Sequence, residues 1–241
     1  IDVVPEKKYL IKLALISNDD NVNNSIQVIY NIIADYDKQN NKVTFSRFTD
    51  WFIKDWYKIE VDDILYFKNK KEDFSLVEAK KLSDFNIQMS KLFKVPVKKM
   101  VYFSCKDAFE LYNLRGFDYA PNMFFGRNGG LVYYGGKGNF EHLIYSANDN
   151  EYYPHELSHF YIDDYSTHNT SRIASEGIAT YLGGSSKNEM TYDYHLKILK
   201  NHLANKNSKI TDYFAVETMK MIDSDVSTLY STGSLLAKLI F

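Results

Sequence analysis

Residues 155–159, His-Glu-Leu-Ser-His, set two of the chain's six histidines four positions apart, with a glutamate directly behind the first. No other stretch constrains the fold as tightly. On an α-helix, positions i and i+4 lie about 40° apart around the axis, so both imidazoles project from one face. Pro154 suits the first turn of such a helix, where its missing N–H costs nothing. Two imidazoles one turn apart can grip a single Zn²⁺ through ring nitrogens at about 2.0–2.1 Å. Glu156 lies one step round the axis, at the edge of the same face. From there it reaches past a metal to where it can take a proton from an activated water.

A catalytic zinc needs a third protein ligand and one open position. A metzincin-type site asks for Gly at 162 and His at 165, where this chain has Ile162 and Tyr165. His168 lies in a polar loop, "YSTHNTS", with no helix to hold it. Glu176, 17 positions after His159, falls within "SRIASEGIATYLGG". Thr170 or Ser171 can cap that helix and Gly183–Gly184 can end it. A mid-helix glutamate flanked by Ile173, Ile178 and Leu182 is an odd group to bury unless a cation pairs with it. Gly177 beside it removes a side chain where two helices approach.

The rest of the chain is compatible with a folded enzyme. Its 241 residues allow a sizeable core in one large domain or two closely packed small ones. The net charge of −2 and the lack of a basic stripe argue against nucleic acid as a partner. No apolar run is long enough to span a membrane. Cys105 is the only cysteine, which excludes an intrachain disulfide. It follows the apolar "KKMVYFS" and is expected to be a core thiol. Because the chain starts at Ile1 and ends in an uncapped apolar pattern, a processed start and a continuation past Phe241 are expected.

Periodicity gives an α+β order. Residues 8–16 alternate as a strand, whereas 21–39 carry apolar residues at helical spacing and predict a helix. "FTDWFIKDWYKI" (48–59) is compatible with a helix packed through its aromatics. Residues 62–69 predict a strand, and Ser75 with Glu78 predicts a capping box opening a helix through Phe93. A strand follows over 98–104, then a short helix over 107–114 ended by Gly116. Two strands are expected within 122–136 about a turn at Asn128–Gly130, and another over 140–146. From residue 154 the pattern is mainly helical.

His155-Glu156-Leu157-Ser158-His159 followed by Ser175-Glu176-Gly177-Ile178-Ala179 resembles the gluzincin zinc metallopeptidases, in particular the peptidase MA-like group. The element order from roughly 62 to 241 follows that group, while residues 1–60 resemble nothing identifiable. The resemblance implies an α+β, zincin-like fold, with an unassigned N-terminal α/β extension over 1–60 and a metallopeptidase domain over 61–241, its helical half starting at 153. It implies His155, His159 and Glu176 as zinc ligands and Glu156 as general base. Tyr230, in "LYSTGSLLAKLI", matches the family's tyrosine-bearing helix start and would donate to the oxyanion.

The substrate implied is a peptide or protein that pairs with an edge strand beside the zinc. "GGLVYYGG" or "FEHLIYS" is expected to provide it, with Tyr134, Gly135 and Gly136 as contacts. Asp163 is a candidate outer partner for a ligating imidazole. Thr180 stands where thermolysin-like relatives carry an aspartate, which leaves His155 without an evident partner. The residues before Glu176, Ile173-Ala174-Ser175, depart from the family's frequent Trp-Leu-x, which is expected to change packing and not chemistry. No G-x-M-E-N loop precedes His155, which favours an endopeptidase over an aminopeptidase. The rival expectation is a zinc-keeping module that binds peptides without cleaving them. A deformylase-like hydrolase fits less well, since it takes a cysteine ligand and Cys105 has no matching loop. The processed start and the family's habits predict export.

Overall fold

The computed structural model describes residues 2–4, 8–17, 25–124, 129–134, 142–165, 171–185, 190–213, 221–223 and 226–241. The architecture is α+β, with two five-stranded sheets followed by a helical C-terminal part. No helix among the described residues is long and apolar enough to cross a membrane.

The first sheet is antiparallel and runs β1 (Asp2–Val4), β2 (Lys8–Ile16), β3 (Ile26–Asp37), β4 (Lys42–Ser46). In place of the helix expected over 21–39 the structure has the strand Ile26–Asp37, followed by a turn. Ile26, Val28, Ile29, Ile32 and Ile33 are β-branched and pair along β2, from Lys8↔Asp35 to Ile16↔Ile26. Their spacing satisfies a two-residue period as well as a helical one, and the neighbouring strand decides between them. Similarly, the aromatic segment 48–59 yields only the short helix α1 (Phe48–Phe52) before turning into β5 (Tyr57–Val61).

The second sheet has the order β5, β6 (Ile64–Lys68), β7 (Met100–Ser104), β10 (His142–Ser146), β9 (Gly130–Tyr134). β6, β7 and β10 are parallel, and β9 lies antiparallel to β10 at the edge. Of the two strands expected within 122–136, only the second is seen among the described residues. Pro121–Phe124 is a 3₁₀ turn, Phe125–Asn128 lie outside the described residues, and β9 pairs instead with β10. Every residue of β7 and β10 is buried because both faces of the sheet are covered. On one face Tyr66, Tyr102 and Ile144 meet Leu82, Phe85 and Met89 of α2 (Leu76–Phe93) and Leu157 and Phe160 of α4 (Pro154–Tyr165). On the other, Phe67, Phe103 and Tyr145 stack over Ile53, Trp56 and the helix α3 (Ala108–Leu114). Cys105 belongs to this second cluster and is fully buried, as a core thiol should be.

The short strand β8 (Phe117–Tyr119) leaves α3 and pairs with β3 of the first sheet. Asp118 receives hydrogen bonds from Asn31 Nδ2 at 2.6 Å and from Lys12 Nζ.

A buried ion pair sets the entry to α4. Lys68 Nζ lies 3.2 Å from Glu151 Oε1, 3.1 Å from Asp149 Oδ1 and 3.0 Å from Ser104 Oγ. Burial works against the charge on Lys68, but the two carboxylates outweigh it and hold its pKa above the ordinary value. Glu151 is fully buried and also accepts from Ser104 Oγ at 2.8 Å and from the Ser75 N–H at 2.8 Å. Ser75 caps α2 as expected, its Oγ accepting from the Glu78 N–H at 3.3 Å. The reciprocal arm of the box is taken by Glu151, while Glu78 pairs with Lys81 at 2.8 Å. One carboxylate thus ties a strand, a helix start and the segment leading into α4. Removing it leaves a buried ammonium short of its main counter-charge. Glu151→Ala is expected to lower unfolding stability by about 3–5 kcal/mol, measurable as a fall in the urea midpoint at constant slope.

Candidate metal centre

The helix α4 opens at Pro154, and Ser158 Oγ donates back to the Pro154 carbonyl at 2.8 Å. His155 and His159 leave the same face with ring centroids 5.0 Å apart. The helix α5 (Arg172–Gly183) is capped by Ser171, whose side chain accepts from the Ala174 N–H. It packs against α4 and carries Glu176 to both histidines. Glu176 Oε2 lies 3.2 Å from His155 Nε2 and 3.8 Å from His159 Nε2. The three ligand atoms lie within 4.8 Å of one another, and no other group of three such residues is found among the described residues.

Three glycines make this convergence possible. A Cβ on Gly177 would lie 2.3 Å from the backbone of Gly233, on the helix α7 (Thr228–Ile240). A Cβ on Gly233 would lie 2.6 Å from the Ile173 carbonyl. A Cβ on Gly183 would lie 2.6 Å from the His155 nitrogen. α5 therefore meets both neighbours backbone to backbone, which leaves no room for a methyl group. The Gly177–Gly233 contact brings Tyr230, three residues before Gly233, edge-on to His155 with centroids 5.7 Å apart.

The cleft encloses about 510 Å³. Its lining includes Gly130, Leu131 and Val132 of β9, together with Tyr153, Glu156, Asp163, Arg172 and Tyr230. The edge strand thus runs beside the His–His–Glu cluster, and Gly130 allows its backbone to lie on the Tyr153 ring. Tyr134 is the last residue of β9, paired with His142, while Gly135, Gly136 and His168 fall outside the described residues.

Burial dominates the electrostatics. It raises the Glu156 carboxyl to about 7, with the charge of Glu176 adding and that of His155 opposing. It pushes His159 down to about 4, helped by the charge of His155. His155 goes the other way: burial is outweighed by the hydrogen bond to Glu176 and by the carboxylates around it. The Tyr230 phenol is pushed up to about 12 by burial and by Glu176 and Glu156.

The outer partners differ from those expected. His155 Nδ1 lies 2.7 Å from the Gly184 carbonyl, an acceptor only, so Nδ1 carries the proton and Nε2 turns toward Glu176. Thr180 does not serve here: its Oγ1 is buried and has no hydrogen-bond partner. His159 Nδ1 lies 3.2 Å from Ser175 Oγ, so the residue before Glu176 contacts the site chemically and does more than pack. Asp163 lines the cleft one turn past His159 and acts on that ring through its charge. Backbone carbonyls have no sequence signature, and Gly183–Gly184 is legible only as a helix end. Ser175 is legible in the sequence as packing only, and its contact with His159 emerges only from the docking of α5 on α4.

The donor set suits a metal ion. Two imidazoles and a carboxylate converge, one imidazole is oriented by its outer hydrogen bond, and a cleft leaves a further coordination position accessible. Comparison with protein-family models, curated proteins and solved structures gives no match.

Two outcomes follow. Gly233→Ala is expected to cost about 1–3 kcal/mol of stability, read from chemical denaturation. His195, fully buried behind the cleft, has its pKa pushed by burial to about 4 from 6.5. The unfolded chain therefore takes up this proton first as pH falls. Stability from the neutral ring is present above pH 6.5 and is lost as pH drops toward 4. Metal-free wild type is expected to lose about 2–3 kcal/mol over that window relative to His195→Gln, measured by urea unfolding across pH.

Proposed function

We propose that this chain is a zinc-dependent metallopeptidase, zincin-like and of gluzincin type, acting on internal bonds of peptide or protein substrates. The observation that carries the reading is the convergence of His155, His159 and Glu176 within 4.8 Å, with Glu156 beside them in one cleft. Zn²⁺ held by those three residues would polarise a scissile carbonyl and lower the pKa of a water toward about 7.

The remaining chemistry belongs to the side chains. Glu156, with its carboxyl raised to about 7, is poised to take a proton from the attacking water and pass it to the leaving amine. Tyr230, with its pKa pushed up to about 12, stays protonated at neutral pH, and beside His155 it would donate to a developing oxyanion. The outer edge of β9, unpaired among the described residues, offers backbone groups for an extended peptide to join as a further strand.

Glu156→Gln keeps the shape and removes the base. It is expected to retain zinc while hydrolysis of a mixed peptide library falls about 10²–10⁴-fold. Tyr230→Phe should lower kcat about 10²-fold with little change in KM. Chelation should abolish cleavage and added zinc restore it. Retention of zinc by a wild-type chain that cleaves nothing in the library would instead identify a silent peptide-binding module.

A further inference from the structure

We propose that His195 is a positioning residue for the metal centre, acting through Ser185 and Gly184 to hold the His155 imidazole in its ligating orientation. The inference rests on the reading of His155, His159 and Glu176 as zinc ligands. His195 lies on the helix α6 (Tyr192–Lys206) and is fully buried. Its Nε2 is 2.9 Å from Ser185 Oγ, and that hydroxyl donates to Met190 Sδ at 3.4 Å. With its proton on the sulfur the Ser185 hydroxyl accepts from the ring, and this arrangement, with Nε2 carrying the N–H, leaves the unpartnered buried nitrogen an acceptor and not a costlier orphan donor. Nδ1 is then a bare lone pair, buried and without a hydrogen-bond partner.

That unmet nitrogen is a cost that an apolar side chain of similar size would not incur. Packing alone therefore gives no reason for a histidine at this position. The ring's one hydrogen bond fixes Ser185, which lines the metal cleft. The Ser185 N–H donates to the Met190 carbonyl at 3.0 Å, and the Gly184 N–H donates to the Thr180 carbonyl at 2.9 Å. Between these bonds Gly184 sits at φ +75°, a left-handed conformation that glycine adopts without strain. Its carbonyl is the group that receives the His155 Nδ1–H at 2.7 Å. His195 thus anchors the turn that presents the carbonyl, and the carbonyl sets the angle of the ligand ring. Outer partners of this kind govern metal affinity because a misdirected imidazole binds more weakly.

The test compares the full chain with His195→Leu, His195→Gln and Ser185→Ala. Zinc affinity is read by chelator competition, coordination by the visible absorption of the Co²⁺ form, and stability by urea unfolding without metal. His195→Leu and Ser185→Ala should each weaken zinc binding about tenfold and alter the Co²⁺ spectrum, with His195→Leu no less stable than wild type at pH 7. His195→Gln, whose amide N–H can replace Nε2–H, should recover affinity to within about threefold of wild type. Wild-type affinity and an unchanged Co²⁺ spectrum in His195→Leu would overturn the proposal. If that variant fails to fold, wild-type affinity in Ser185→Ala does the same. Equal weakening in the Leu and Gln variants, in step with lost stability, also overturns it by reducing His195 to a structural residue. A wild-type chain with no affinity for zinc overturns the ligand reading and this proposal with it.

Discussion

Everything at the cleft depends on helices that touch without side chains between them. Ridges of ordinary side chains hold helix axes about 8–10 Å apart. Where Gly177 faces Gly233, and where Gly183 faces the start of α4, the backbones themselves make contact. That closeness lets Glu176, a side chain of modest length, reach two histidines on a neighbouring helix. It also lets Tyr230 lie edge-on against one of them. The contacts are backbone to backbone and short-ranged, yet their effect is electrostatic. They bring a carboxylate, two imidazoles and a second carboxyl together in a cluster whose burial shifts their protonation.

Such a cluster could not be held by a soft scaffold. The sheet beneath it is buried on both faces, and the Lys68–Glu151 pair fixes the chain three residues before Pro154. Glu151 also accepts from the N–H of Ser75, the cap of α2, so α2 and the histidine-bearing helix share one anchor. A buried ion pair contributes little net stability compared with a well-packed apolar substitute. It does specify which groups meet, and here it specifies where the histidine-bearing face of α4 begins.

How much of this was legible in the sequence depended on the kind of signal. The His155–Glu156–His159 face and the return of Glu176 were legible because helical geometry converts spacing directly into direction. The capping of α2 by Ser75 and of α5 by Ser171 was legible for the same local reason. β3 was not, because an apolar run rich in isoleucine fits both periods and only β2 and β4 choose between them. The pairing of β9 with β10 was not legible, because the turn residues at 128–130 point to a local hairpin, while the register that buries both sheet faces joins distant segments. The carbonyl that orients His155 lay beyond any reading of side chains, since Gly184 contributes only backbone.

The placement of β8 has a temporal consequence. It belongs by pairing to the amino-terminal sheet, yet it arrives only after three strands of the other sheet and the helices between have been made. The bond from Asn31 to Asp118 closes a loop of 87 positions. During synthesis the first four strands therefore leave the ribosome with one border still open, and they cannot reach their finished form until Tyr119 has followed. The amino-terminal sheet is not a prefix that matures by itself; its completion is scheduled by the domain that carries the cleft.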